Sequence, residues 1–517
     1  MILYHVITSY HLLNAMVYHM VYGQNDKAVV LLSEWLPEKF PNFNELGHFF
    51  DKIIVDDANY RFLHSKEETN TYFQSLLGDM SMYSQIFIWG AQFSFGIWAE
   101  QEGYTFVYGE EAAGRISRPH SMDNIEKNTD IKGKYYDLIK NLGLYDGTAT
   151  HAVKVICNAA AQQQDYQPPK EMIDFNVTSE LQKLPEDKRG EILDFFLPKR
   201  GKIDVRENTT VLLTQHFTNL GLLTFEEQVL IYQLVIDYFF EKSHISIKPH
   251  PDDIMYYSQL FPDTQVIREK FPSEFMPFIF EHQPKCIATI SSTAIDNLRG
   301  TYEKIFELDA RYEEDFLMTH RYYVALFLAK ELKLNVVCIR ANELLAKQLS
   351  NTLGEGAPNV MNNKTDVHRS CLFLIDNVTE DGEEGRKKIQ NFLETMDENS
   401  CAIFINSQED YCWYDYYKKG LWNDIIPLVL TKKRKDVAGE DFYAPIEDEV
   451  LYVYSRNKEL LKAMKETTVT KDLKNTGIRF TMKNLSPEEE KIKMLEGILA
   501  ATEKQLLYYM EKEQERK

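Results

Sequence analysis

Short apolar runs alternate with longer segments of helical periodicity along most of the chain. "ILYHVI" leads into "SYHLLNAMVYHMVYG", and "KAVVLL", "KIIVDD", "QIFIWG" and "TFVYGEE" follow with helical stretches between them. Continuous apolar runs of this length fit strands covered on both faces, so the alternation predicts a parallel, doubly wound sheet. The pattern continues to about residue 165, where the polar "QQQDYQPPKEM" and its Pro pair break it. Residues 170–208 read as a charged helical bridge.

A second alternating series opens at "TTVLLTQHF". It continues through the helix "FEEQVLIYQLVIDYFFEK", the strand "HISIKPH", a strand around "TQVIRE", the strand "KCIATISST", a helix and "KIFELD". Two Rossmann-like halves in succession predict a cleft between them, with ligands at the carboxyl ends of the strands. The expected division is a first Rossmann-like domain with its bridge at 1–208 and a second at 209–333. An accessory α/β region at 334–485 is built from "LNVVCIRA", "SCLFLIDN", "CAIFINSQ", "IPLVLTKK" and "EVLYVYSR", with "DNVTEDGEEGRKK" as a solvated loop. Residues 486–517 predict a terminal helix, with Ser486 as cap, Pro487 at the first helical position and Glu489 closing a capping box. Leu485, Ile492, Leu499 and Leu506 recur at heptad spacing there. Such a seam would serve a homodimer, and the same face would serve equally well packed on its own domain.

Composition adds bounds rather than detail. A chain of 517 residues exceeds what one core supports. The net charge of −21 disfavours nucleic acid and anionic membrane faces as partners. A locally basic pocket for a small anion survives, because screening acts over about 8 Å at physiological salt. The six cysteines form no CxxC pair and sit mostly in apolar runs, which reads as buried hydrophobes in a reducing compartment; no zinc spacing appears. "MILYHVITSYHLL" has neither the basic start nor the cleavage site of a signal peptide, and no transmembrane run stands out, so a cytoplasmic location is expected.

Three polar clusters fall at strand ends. In "FVYGEEAAGRIS", Glu110 and Glu111 follow a strand and a glycine, and adjacent carboxylates there suit a base beside a structural acceptor. In "ISIKPHPDD", Pro249 and Pro251 restrict His250 from both sides. Lys248, two residues earlier on an extended chain, would share its face, and the pair suits a phosphate. Asp252 and Asp253 read as the acidic first turn of a following helix. In "ATISSTAIDNLR", Ser291, Ser292 and Thr293 offer hydroxyls and amides at a helix start, a neutral anion site. Each cluster also has an ordinary reading: solvated glutamates, a rigid turn and a plain N-cap. Their joint placement, an anion-binding wall in one half and a carboxylate pair in the other, is what a sugar transferase with a nucleotide-activated donor requires.

"GEEAAG", "KPHP" and "SST" resemble, in order, the acidic, HP and S-S/T motifs of bacterial sialyltransferases, both the lipooligosaccharide enzymes of glycosyltransferase family 52 and the capsular polysialyltransferases. "VLLTQHF", with Gln215, resembles the opening of the nucleotide-binding domain, and "FPSEF" resembles a loop whose glutamate, here Glu274, meets the nucleotide ribose. One departure stands out: Ala112 and Ala113 separate the acids from Gly114. The resemblance covers about residues 1–330 and implies a GT-B fold of two Rossmann-like domains facing across a cleft. It implies a metal-independent, inverting transfer of sialic acid from CMP-sialic acid to a glycan acceptor, without a cofactor. Glu111, preferred over Glu110, would be the base and His250 the partner of the leaving phosphate. Lys248, Ser291, Ser292, Thr293, Glu274 and Gln215 would hold the donor. CMP-Kdo, another nucleotide sugar or CDP-glycerol are alternative donors on the same scaffold, and a non-catalytic nucleotide-binding relative is a further alternative.

Overall fold

The computed structural model describes residues 1–40, 42–128, 132–197, 202–207, 209–240, 244–253, 255–302, 304–308, 318–361, 370–376, 382–405, 424–435, 441–466 and 478–481, together with 506 and 510. They fall into two compact units, one of 1–215, 246–253 and 266–307, the other of 216–245, 254–265 and 308–517.

The first unit begins with seven strands: β1 (Ile2–Val6), β2 (Ala28–Ser33), β3 (Lys52–Asp56), β4 (Gln85–Trp89), β5 (Phe106–Gly109), β6 (Ala152–Cys157) and β7 (Glu171–Asp174). Their order is β3-β2-β1-β4-β5-β6-β7, and all pairs are parallel. β1 and β2 are buried along their whole length, as their uninterrupted apolar sequence requires. The order reverses between β1 and β4, so the carboxyl end of β1 is the switch point where such sheets open a crevice. The last strand corrects the sequence reading, which made residues 171–174 part of a helical bridge. "EMID" pairs with β6 as an edge strand, half exposed, and an edge strand needs no continuous apolar run.

A second, five-stranded sheet has the order β10-β9-β8-β11-β12. Its strands are β8 (Thr210–Leu213), β9 (Ile245–Lys248), β10 (Gln265–Val266), β11 (Cys286–Thr289) and β12 (Ile305–Glu307), and β8, β11 and β12 pair in parallel. This sheet switches direction between β8 and β11. One apolar cluster runs from Tyr4, Val30 and Phe87 through Phe195 and Phe196 to Val211, Leu213 and Ile287. The interiors of the two sheets are therefore one core. The expected helix after Pro251 does not form at Asp252 and Asp253: the chain turns there, and the next helix is Tyr257–Leu260. Asp253 instead accepts a hydrogen bond from the Thr214 hydroxyl at 3.1 Å.

The other unit holds a mixed sheet of order β14-β13-β15-β16-β18-β17-β19. β13 (Asn335–Ile339), β14 (Val360–Met361), β15 (Cys371–Ile375) and β16 (Cys401–Phe404) are parallel. β17 (Ile425–Lys435), β18 (Asp441–Tyr454) and β19 (Ile478–Thr481) add antiparallel pairs, with a bulge between Val429 and Thr431. The helix Phe225–Tyr238 of this unit opens with a reciprocal capping box of Thr224 and Glu227. Part of the expected solvated loop is helical, since Gly382–Thr395 forms a helix. Its polar first half concealed the apolar Ile389 and Leu393, which are buried. Of the terminal helix, Leu506 and Met510 are helical and exposed, and the rest of that expectation lies outside the described residues. Cys157, Cys338, Cys371 and Cys401 are buried free thiols and Cys286 is half-buried, while Cys412 lies outside the described residues. Among the described residues no helix is long and apolar enough to cross a membrane.

Candidate functional site

The first sheet's contribution is built on β1 and β5. Thr8 caps the helix Ser9–Tyr18 by accepting from the His11 amide at 3.2 Å. The His11 ring is fully buried. Its Nδ1 faces the Ile7 N–H at 3.4 Å and its Nε2 lies 3.0 Å from the Glu111 carbonyl oxygen. A backbone donor on Nδ1 and a carbonyl acceptor at Nε2 fix one neutral tautomer, with the proton on Nε2. The same Nε2 lies 3.5 Å from the Glu111 carboxylate, whose side chain is 29% exposed.

Its neighbour Glu110 has the opposite environment. It is 4% exposed and accepts from the Ile116 amide at 2.9 Å and from Gln162 Nε2 at 3.0 Å. Burial pushes its carboxyl up to about 7 against the pull of these bonds. Two glycines shape the turn. A Cβ on Gly109 would sit 2.4 Å from the Trp89 ring, so the chain can leave β5 there only without a side chain. Gly114, displaced by the two alanines, adopts φ +73°, and a Cβ there would meet Arg118 Nη2 at 2.2 Å.

The second sheet's contribution centres on the Pro-His-Pro turn. His250 donates its amide to Thr214 Oγ1 at 3.1 Å, and its Nδ1 accepts from the Asp252 amide at 3.2 Å. The proton of the neutral ring is thereby placed on Nε2. Asp253 N donates to the His250 carbonyl, and Lys270 donates to the Pro251 carbonyl at 3.2 Å, which holds the turn from several directions. Lys248 does not share the half-exposed setting of His250. It is 4% exposed, its Nζ donates to the Phe271 carbonyl at 2.9 Å, and it lies 4.5 Å from the centre of the Phe271 ring. Burial draws its ammonium down to about 8, against the nearby Glu274.

Glu274 is buried as well, and burial raises its carboxyl despite the hydrogen bond from Asn297. Ser291 and Ser292 are half-buried and Thr293 is exposed. The Ser292 amide donates to Thr289 Oγ1 at 2.8 Å, and Thr293 opens the helix Ala294–Leu298 without a side-chain capping bond. Gln215 follows β8 and is half-buried.

The carboxyl ends of the two sheets are joined by polar contacts that the sequence did not announce. Arg118 pairs with Asp296 at 3.3 Å, and Asn158 donates to the Asp296 carbonyl and to Asn297 Oδ1. Asn297 donates to Tyr10 Oη at 3.2 Å and to Glu274 Oε1 at 3.0 Å. Lys39 and Asp252 approach to 3.9 Å, a half-exposed pair that adds little stability. Tyr10, His11, Asn158, Gln162 and Asn297 were not singled out from sequence. For Tyr10 and His11 the available signal was their place just after β1, and for the others there was none.

Two successive Rossmann-like sheets with their strand ends joined this way make the GT-B arrangement, the scaffold expected from the sequence. Residues 158–310 match the family model of glycosyltransferase family 52. The match begins at Asn158 and includes His250, Glu274, Ser291–Thr293 and Asn297, while Glu110, Glu111 and His11 precede it. An uncharacterised Haemophilus influenzae protein is 36% identical over 84 residues, which is 16% of this chain and 27% of that protein. The chain thus aligns with little more than a quarter of the curated relative it matches. Among solved structures, an α/β-galactoside α-2,3-sialyltransferase from Photobacterium phosphoreum aligns over 69% of this chain and 98% of its own, at 11% identity and a TM-score of 0.38. The spinosyn forosaminyltransferase SpnP covers 68% and 90%, at 13% and 0.33. A UDP-N-acetylglucosamine 2-epimerase from Rickettsia bellii covers 57% and 75%, at 14% and 0.32. Likeness at that level does not separate a transferase from an epimerase and carries nothing about chemistry.

Proposed function

We propose that the protein is an inverting glycosyltransferase that moves sialic acid from CMP-sialic acid to a glycan acceptor. The observation that carries the reading is the contrast at the end of β5: Glu110 is buried and bonded into the turn, whereas Glu111 stays partly exposed, with its carbonyl hydrogen-bonded to a buried histidine whose ring lies 3.5 Å from the carboxylate. The match of residues 158–310 to the family 52 model supports a glycosyl transfer as the class of reaction. In this reading Glu111 takes the proton from an acceptor hydroxyl as that oxygen attacks the anomeric carbon, and the bond from that carbon to the CMP phosphate oxygen breaks. The Nε2–H of His250 meets the departing phosphate. That proton supplies the charge neutralisation for which other transferases recruit a divalent cation, so the proposed route is independent of metal.

Ser291, Ser292 and Thr293 serve as hydroxyl donors to the donor's phosphate or carboxylate, Glu274 meets the ribose, and Gln215 lies at the mouth of the same sheet. Lys248, turned inward, contributes by bracing the 271–275 loop and by its positive potential. General-base assistance is typically worth on the order of 10² to 10⁴ in rate. The test is transfer from CMP-sialic acid to a panel of glycans, with and without chelator, alongside thermal shifts with CMP, CDP, UDP and GDP. Stabilisation by CMP and transfer that survives chelation are expected. Stabilisation by UDP or GDP with CMP silent sinks the sialyl reading. CDP-glycerol or CMP-Kdo turnover in place of sialyl transfer reassigns the donor.

A further inference from the structure

Behind Glu274 runs a buried polar chain, through Asn297 to Tyr10, that the transfer chemistry leaves unused. Asn297 is 1% exposed and Glu274 is 4% exposed. Both N–H bonds of the Asn297 amide are committed, one to Tyr10 Oη and one to Glu274 Oε1, and its oxygen accepts from Asn158 at 3.1 Å. A side-chain amide with donors and acceptor all engaged cannot turn without breaking several buried bonds, so it has few alternative positions. Tyr10 also anchors its own helix, where Asn14 Nδ2 donates to the Tyr10 carbonyl at 2.7 Å. The next residue is His11, the ring that orients Glu111. The electrostatics agree, since burial raises the Tyr10 phenol and the next contributions come from the carboxylates of Glu274 and Glu110.

We propose that Glu274, Asn297 and Tyr10 form a positioning relay that ties the nucleotide's place in the second sheet to the setting of the base in the first. A ribose hydroxyl that engages Glu274 shares that carboxylate with Asn297. The bond geometry at Asn297 then fixes where Tyr10, and with it the first turn carrying His11, comes to rest. This rests on the donor reading above, because the relay's input is the nucleotide. Tyr10 is a positioning residue and touches neither reactant.

The test uses the full-length protein with Tyr10→Phe, which removes one hydroxyl and keeps the ring. The expected result is a fall of about tenfold in transfer kcat, the scale of a misplaced catalytic group, with donor KM and the CMP-induced melting shift unchanged within about twofold. The ratio of donor hydrolysis to transfer rises, because a loosely held base no longer selects the acceptor hydroxyl over water. Asn297→Ala behaves alike, and the double variant is no worse than the poorer single one, as coupled neighbours require. Wild-type kcat in Tyr10→Phe, or losses that add in the double variant, overturns the relay while leaving the donor reading intact. A wild-type protein that CMP does not stabilise overturns the donor reading itself, and the relay falls with it.

Discussion

The carboxyl ends of the two parallel sheets solve the same problem with different backbones. At the end of β5, two adjacent glutamates part company: Glu110 is buried and bonded to Ile116 and Gln162, and Glu111 is left partly exposed beside His11. At the end of β9, Lys248 is buried against Phe271, and His250, two residues on, is held by its backbone in a half-exposed setting. Each edge buries one ionisable side chain in the scaffold and leaves another more exposed, and the proposed function assigns the chemistry to the exposed one. The first sheet achieves this with side-chain bonds, the second with two prolines and the Thr214 hydroxyl.

That division is broken most directly by exchanging the members of each pair. Glu111→Gln is expected to lower transfer by about 10² to 10⁴, and Glu110→Gln by less than about tenfold, measured as kcat at saturating donor and acceptor. The reverse order would make Glu110 the base. In the second sheet His250→Ala is expected to cost about 10² in kcat. Lys248→Met is expected to cost less than about tenfold, because its amine makes a scaffold contact; an equal loss in both would return Lys248 to the phosphate.

The pH dependence of stability sharpens the contrast. Glu110 is held at about 7 when folded, against an ordinary value of 4.5. Between those values the folded protein holds a proton that the unfolded chain has released, so stability falls as pH rises from 4.5 to 7 and then levels off. About 3 kcal/mol is at stake over that window. Glu110→Gln should flatten this part of a melting-temperature profile.

A second effect of the same sign is expected at Asp56, the last residue of β3. It is 2% exposed, and burial raises its carboxyl well above the usual range, with Glu34 and Asp57 adding to the effect. Its ionised form therefore destabilises the fold above the ordinary carboxylate pKa. Asp56→Asn should raise the melting temperature by about 1–3 °C at pH 7, with the gain vanishing near pH 4.

The alternation of apolar runs and helical segments was legible because strands buried on both faces leave a continuous apolar signature. β7 escaped because an edge strand beside a Pro pair carries no such run, and Gly382–Thr395 escaped because its first half is charged. At the site, the stiffness of Pro249-His250-Pro251 and the doubled acid could be read directly. Alternation along an extended chain was a poor guide to Lys248, since the strand ends there and its ammonium is taken up by the Phe271 carbonyl. Asp252 and Asp253 looked like a helix start and instead belong to a turn closed by Thr214. The partners that contact these residues in the fold are distant in sequence, His11 for Glu111 and Asn297 for Glu274. One sequence carries no record of such pairings until the chain is folded.

The Tyr10–Asn297 hydrogen bond bears on how modular this architecture is for protein engineering. GT-B transferases invite chimeras in which one half is exchanged to change the donor, with the junction placed between the sheets. Here the stretch between Val205 and β8 looks like such a seam, yet a graft made there would set Tyr10 of one parent against whatever residue the other parent carries at position 297. If the proposed relay operates, its boundary does not follow the order of the chain: the opening turn of the first helix travels with the second sheet, and an exchange then needs residues 8–11 chosen together with 271–297.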